Sequence, residues 1–252
     1  MRLGTFCLVG LLLTTELASS QTVKIGSPTS TPTPALPELR PALLGGGPDS
    51  LINKIDTADL IKKGQKDAAV MFSCLVAPTG DVVRSAAYRG TRGSELLEQE
   101  VLKRLVNTKF IPAIHNHQPV IAVFYGTATF AVVNGKPRLR IFSNQQLEEV
   151  KKENDFIDPQ PYVGPGSKFS GMHYPDTGTT VRLTGVVQLA LEVDAAGNLK
   201  DMHVVTDEPP YLGFGWAALS DFNGAKFVPA FRNGKPVDSK VTVPVYYKPS
   251  EQ

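Results

Sequence analysis

His115 and His117 stand two positions apart, a spacing at which two imidazoles on one strand face could share a metal ion. They lie between Pro112 and Pro119 with no Cys, Asp or Glu close by, so a solvated turn accounts for them without a metal. The other chemistry-bearing residues are equally isolated. Cys74 would be a nucleophile only as a thiolate, and nothing cationic stands beside it, so it reads as an inert core thiol. Asp207-Glu208 precedes Pro209-Pro210 in an expected loop, where paired acids are solvated rather than catalytic. Gly213-x-Gly215 lacks the strand and third glycine of a nucleotide loop and reads as a bend before a helix. His173 and His203 have no partner that the sequence identifies, and Trp216 beside Phe214 reads as core or rim packing. The expectation is a chain with no catalytic residue, no metal and no cofactor, a metal-dependent enzyme being the distant alternative.

The elements that hold these residues are organised by an internal repeat. Lys109-Phe110-Ile111-Pro112-Ala113-Ile114-His115-Asn116-His117-Gln118-Pro119-Val120 returns in degenerate form as Lys226-Phe227-Val228-Pro229-Ala230-Phe231-Arg232-Asn233-Gly234-Lys235-Pro236-Val237, an offset of 117 positions. The same offset, without a gap, aligns Val70 with Val187, Val76 with Val193, Gly80 with Gly197 and Leu102 with Leu219. Chance matches do not keep one register over so long a stretch.

The first unit opens with a helix predicted over Leu51 to Lys63 and ended by Gly64. Val70, Phe72, Cys74 and Val76 then alternate as a strand, and Pro78-Thr79-Gly80-Asp81 turns the chain into Val82 to Tyr88. Glu95 to Asn107 reads as a helix with Ser94 as N-cap, a packing face of Leu97, Val101 and Leu105, and a solvated charged face. Extended chain follows over Phe110 to Ile114 and Pro119 to Val133. Asn134-Gly135 is a two-residue hairpin signal that should fold Pro137 to Phe142 back along Ala128 to Val133. A connector helix over Asn144 to Glu153 is suggested by the capping-box spacing of Ser143 and Gln146, and Pro/Gly-rich Asp155 to Ser170 marks a boundary. The second unit repeats the order: Val187 to Val193, a turn at Asp194 to Asn198, a strand over Leu199 to Thr206, a helical stripe of Phe214, Ala218 and Phe222 ended by Gly224, a turn at Asn233-Gly234, and alternating Val241, Val243, Val245 and Tyr247.

Composition sets the outer limits. The chain has 252 residues, 42% of them hydrophobic and 20% charged, enough for one or two ordinary cores. A formal net charge of +2 gives no basic field that would draw nucleic acid. Met1-Arg2, the apolar run Leu3 to Leu13 and the small residues Ala18-Ser19-Ser20 read as a secretory signal peptide over 1–20. The alternative is an uncleaved anchor, although a span needs about 20 apolar residues and Glu16 interrupts this one early. Cleavage removes Cys7 and leaves Cys74 alone, so no intramolecular disulfide is possible. Residues 21–50, with Pro at 28, 32, 34, 37, 41 and 48 and Gly45-Gly46-Gly47, read as a tether. Pro34-x-x-Pro37 followed by Arg40 could alternatively serve a proline-recognising domain. The expected divisions are thus 1–20 signal, 21–50 tether, 51–142 first domain, 143–167 connector helix and linker, and 168–252 second domain.

One ordered set of residues resembles a known family. Tyr174-Pro175, Gly185, Val187-x-Leu189-x-Leu191-x-Val193-Asp194, Gly197, Phe214-x-x-Ala217-Ala218-Leu219, Lys226-Phe227-x-Pro229-Ala230, Gly234-Lys235-Pro236-Val237 and Val241-x-Val243-Pro244 together resemble the C-terminal domain of TonB. The resemblance covers about Lys168 to Pro249, and through the repeat 51–130 looks like a diverged copy without the Tyr-Pro start, with Ala68 for Gly185 and His117 for Gly234. It implies an α+β fold of two tandem TonB-like domains, each an antiparallel sheet with helices on one face. It also implies a periplasmic or secreted protein-binding module whose partner is an envelope protein or peptide, such as a TonB-dependent transporter, with membrane contact only through an uncleaved N-terminus. The family grips a peptide beside its last strand, here Lys240, Val241, Thr242, Val243, Val245, Tyr246 and Tyr247. The competing reading is a strand edge merely blunted by Lys240, Pro244 and Lys248. Two departures bear on mechanism. Asp176 to Thr180 is a poor helix former where the family carries a helix, and residues 1–17 lack the intramembrane histidine of an energy transducer, which is the alternative function. Because the Asn134-Gly135 hairpin should fill the first unit's edge, peptide binding is expected in the second.

Overall fold

Two long antiparallel hairpins, one in each half of the repeat, carry the fold. The computed structural model describes residues 35–176 and 183–249. The expected signal peptide, the expected tether as far as Pro34 and most of the segment 176–180, where a poor helix former is expected, lie outside the described residues. In chain order the elements are β1 (Leu39–Arg40), α1 (Leu51–Lys54), α2 (Thr57–Lys62), β2 (Ala68–Val76), β3 (Val82–Gly90), α3 (Glu95–Leu105), β4 (Ala113–His115), β5 (Gln118–Val133) and β6 (Lys136–Phe142). They continue with α4 (Leu147–Lys152), β7 (Gln160–Val163), β8 (Gly185–Val193), β9 (Leu199–Glu208), α5 (Phe214–Phe222), β10 (Phe227–Val228), β11 (Ala230–Arg232), β12 (Lys235–Val237) and β13 (Ser239–Tyr247).

Strict alternation of buried and half-buried residues along β2 and β8 marks strands covered on one face. β2 lies between β3 and β5, and β8 between β9 and β13, all antiparallel. The registers coincide at the offset of the repeat. Val76 lies opposite Ala122 and Val193 opposite Ser239, and the irregularities of β2–β3 at Met71/Phe72 and Leu75/Val76 recur in β8–β9 at Gln188/Leu189 and Glu192/Val193. The turns coincide too. Gly80 (φ 83°) and Gly197 (φ 80°) donate their N–H groups to Ala77 and Asp194 carbonyls at 2.8 Å. Their own carbonyls accept from Phe110 at 2.8 Å and Phe227 at 3.0 Å. A Cβ at either glycine would run into the carbonyl oxygen of that same phenylalanine, so both the φ and the close approach demand glycine.

α3 buries Leu97, Val101 and Leu105, and α5 buries Phe214, Ala218 and Phe222, the stripes the four-residue spacing predicts. The described residues nevertheless form one compact unit around two apolar clusters that exchange side chains. Val228 and Phe231 join the cluster of the first half, and Val123 and Tyr125 join that of the second.

Several boundaries differ from the sequence expectation, each for a local reason. The helix expected over Leu51 to Lys63 is two short ones, because Ile55 is extended and buried while the Asp56 carboxylate caps α2 by accepting from Asp59 N–H at 2.9 Å. The tether does not reach residue 50. β1 pairs with β4, Leu43 bridges Ile111, and buried Ala42 exchanges both backbone bonds with the Gln160 side-chain amide, at 2.7 and 3.1 Å. Ser94 and Ser143 make no capping bond, and α4 starts only at Leu147. Glu100 on the expected solvated face of α3 is buried, bonded to Arg104 Nε at 2.6 Å and to Asp56 N–H at 3.1 Å. The supposed linker after Asp155 packs Phe156, Asp158, Gln160 and Tyr162 inside and places β7 between β5 and β10. The hairpin at Asn134 (φ 52°) and Gly135 (φ 74°) forms as expected, with β6 along Thr127 to Val133.

Candidate functional site

β13 ends the three-stranded sheet β13-β8-β9. Its side chains alternate: Val241, Val243, Val245 and Tyr247 are buried in the second cluster, whereas Lys240 is exposed and Thr242 and Tyr246 half-buried. Four of the seven expected edge residues are therefore core side chains that hold the strand, and what the edge could offer a partner is the backbone of the residues between them. The direction of that backbone is fixed by one contact. Thr242 N–H donates to Gln146 Oε1 at 3.3 Å, and Thr242 C=O accepts from Gln146 Nε2 at 3.2 Å. Both groups thus point away from β8, and the two-residue period turns those of Lys240 and Tyr246 the same way. Pro244 occupies the position between them, where the missing N–H costs no ladder bond. Lys240 pairs with Glu192 at 2.9 Å across the sheet, which holds its ammonium pKa above the ordinary lysine value.

Gln146 belongs to a buried polar knot that sequence reasoning missed. Asp158 is fully buried and accepts from Gln145 N–H at 2.9 Å and from Gln146 Nε2 at 3.1 and 3.2 Å. Desolvation pushes its carboxyl up to about 7, against the opposing pull of those donors. Gln145 donates to the Phe72 carbonyl at 2.7 Å and the Gly126 carbonyl at 3.2 Å, and accepts from the Tyr88 hydroxyl. Asn144 donates to Phe156 C=O at 2.8 Å. On the next turn Glu149 takes a bidentate pair from Arg232, at 2.8 and 3.1 Å, and Arg232 lies 4.9 Å over the Phe156 ring. The guanidinium holds the Glu149 carboxyl below its ordinary range. The only local signal is three consecutive amide side chains, Asn144-Gln145-Gln146, after a strand.

The remaining motif residues shape the domain. Tyr174 donates to Leu183 C=O at 2.7 Å and sets its ring edge-on to Phe214, whose ring fills the space a Cβ at Gly185 would need. Pro175 lines the approach to Gly213, Phe227 is buried, Pro229 separates β10 from β11, and Gly234 (φ 70°) turns β11 into β12, which carries Pro236. His115 precedes the equivalent turn, Asn116-His117, and both turn residues have positive φ. The two histidine rings are engaged separately, His115 stacked 4.4 Å from Tyr162 and His117 Nδ1 2.7 Å from Leu36 C=O. Among the described residues no cluster of three His, Cys, Asp or Glu is placed to hold a metal.

Cys74 is buried, and that burial pushes its thiol pKa well up. Asp207-Glu208, expected in a loop, ends β9, and Asp207 accepts from Gly215 N–H at 3.2 Å. Trp216, expected to pack, is 81% exposed because it sits two residues from Phe214, away from the buried stripe of α5. His173 does have a partner: its ring lies 2.8 Å from the buried Asp221 carboxylate, which also accepts from Tyr247 OH at 2.9 Å.

Residues 170–249 match the family model of the Gram-negative bacterial TonB protein C-terminal. This segment is a TonB C-terminal domain. Searches of curated proteins and of solved structures give no significant match to the chain. TonB C-terminal domains are protein-interaction domains of the cell envelope rather than enzymes, and the family is periplasmic or anchored in the inner membrane. Among the described residues no helix is long and apolar enough to cross a membrane. In this chain the TonB segment comprises β8 to β13 with α5, so β13 is its last strand.

Proposed function

We propose that the protein is an envelope protein-binding module that takes an extended partner segment along the outer edge of β13. The carrying observation is the position of β13 at the end of its sheet, with the backbone groups of Lys240, Thr242 and Tyr246 turned outward. The partner class is the periplasm-facing segment of an outer-membrane transporter, and the protein reaches it as a periplasmic chain with its signal cleaved. The first half is read as a tandem, diverged copy of the same domain, supported by registers, bulges and glycine turns that recur at the offset of the repeat. Its counterpart of β13 is β5, and the pairing of β6 with that strand from Thr127 to Val133 supports reading the second copy as the binding one.

Deleting the first copy is a poor test, because the two clusters exchange Val123, Tyr125, Val228 and Phe231. A photo-cross-linking residue placed at Tyr246, and in a control chain at Arg138 on β6, tests the assignment in intact envelopes. Transporter segments should be captured from Tyr246 alone. Equal capture from both positions would sink it.

A further inference from the structure

Resting on that strand-addition reading, we propose that Gln146 is an internal stand-in for the partner strand: its side-chain amide closes the central rung of the β13 edge in the unbound protein, and a partner must displace it. A primary amide offers one donor and one acceptor with the spacing of a peptide group. Its two bonds to Thr242 reproduce the reciprocal N–H···O pair that an added antiparallel strand would make.

The contact is weak where it meets β13 and firm behind. The bonds to Thr242 are long, at 3.2 and 3.3 Å. The adjoining residues are held at 2.7 Å from Gln145 to Phe72 C=O, 2.8 Å from Asn144 to Phe156 C=O, and 2.8 Å from Arg232 to Glu149. Gln146 is itself half-buried, so its side chain can swing out, giving up its donation to Asp158 as well, while Gln145 N–H still holds that carboxyl and the Asn144 and Gln145 amides stay in place. A partner strand that replaces it exchanges two bonds for two at Thr242 and also costs the Gln146 donation to Asp158. It gains net affinity only from the flanking rungs at Lys240 and Tyr246, with Pro244 offering a carbonyl but no N–H. Gln146 therefore sets a threshold that selects segments long enough to span the outward-facing positions from Lys240 to Tyr246.

The test uses the full chain with Gln146→Ala, and Gln146→Met to keep the side-chain stem without the amide. Residue-resolved hydrogen exchange reads the Thr242 amide, and calorimetry reads binding of a synthetic Lys136–Phe142 peptide, the strand that lies along β5. Both variants should lose about tenfold protection at Thr242, the equilibrium factor carried by one neutral hydrogen bond. They should bind the peptide about tenfold more tightly than the parent chain. Unchanged Thr242 protection in both variants overturns the stand-in, whatever the peptide does. Protection lost while no chain binds the peptide overturns strand addition itself and with it the gating role.

Discussion

Replacing Asp158 by asparagine should abolish a pH dependence of stability that the wild-type chain carries between about pH 4 and 7. The carboxyl is fully buried and, among the described residues, receives the Gln145 N–H and the Gln146 amide and is in contact with no cation. The charged and titratable groups that bear on it are Glu149, itself paired with Arg232, and the buried Tyr125 phenol. Burial therefore wins, raising the pKa from 3.8 to about 7. The folded state keeps a proton that the unfolded chain gives up near pH 4, so this contribution is fully present at low pH and is lost as pH rises to about 7.

At about 1.4 kcal/mol per unit, the shift amounts to at most about 4 kcal/mol, of which about 3 fall between pH 5 and 8. His115 works the other way, since burial lowers its pKa and its contribution rises with pH. It is common to both chains and cancels in the difference. The amide introduced by D158N would set an N–H₂ against one of the two donors, a cost that does not vary with pH. Urea unfolding at pH 5, 6, 7 and 8 should be followed by far-UV circular dichroism, because Trp216 is too exposed to report burial. Wild type minus D158N should fall by about 3 kcal/mol across this range. Parallel curves would refute the buried, neutral carboxyl.

Gly80→Ala and Gly197→Ala should each destabilise the fold by on the order of 1–3 kcal/mol, by equal amounts within error, since both positions combine positive φ with a blocked Cβ direction; chemical unfolding of the two variants decides it. Gln160→Ala should cost about 1–3 kcal/mol by stranding the buried Ala42 N–H. It should also speed exchange of the Leu43 amide, which bonds Ile111 C=O at 3.0 Å. Mature protein from the native host should begin at Gln21 on N-terminal sequencing, and retention of Met1 in an inner-membrane fraction would favour the transducer reading instead.

The parts of the fold legible in the sequence are those whose cause is local. Alternation places β2, β8 and β13, four-residue spacing places the buried faces of α3 and α5, and Asn134-Gly135 announces the β5–β6 hairpin. The repeat even transmits the bulges, because an unbroken offset keeps every cross-strand pair in step. The polar knot is illegible for the opposite reason. Gln146 meets Thr242 across 96 positions and Gln160 meets Ala42 across 118, and amide side chains leave no periodic trace of such partners. A buried Asp158 next to Pro159 looks from the sequence like any turn acid. The seven expected edge residues share one strand, but the same alternation that reveals the strand turns four of them to the core.

The placement of the segment 134–167 explains why two such similar sheets present different edges. Its first part, β6, pairs with β5 from Thr127 to Val133 and closes that stretch of the first sheet's edge with a ladder. Its middle, Gln146, touches the edge of the second sheet at a single rung. Its last part, β7, pairs with both β5 and β10 and ties the halves together. A seven-residue ladder is a permanent closure, since opening it costs every rung at once. A single amide is a reversible one. If one ancestral unit with an exposed edge was doubled, the inserted chain has sealed one edge and left the other under a contact that a longer strand can outcompete.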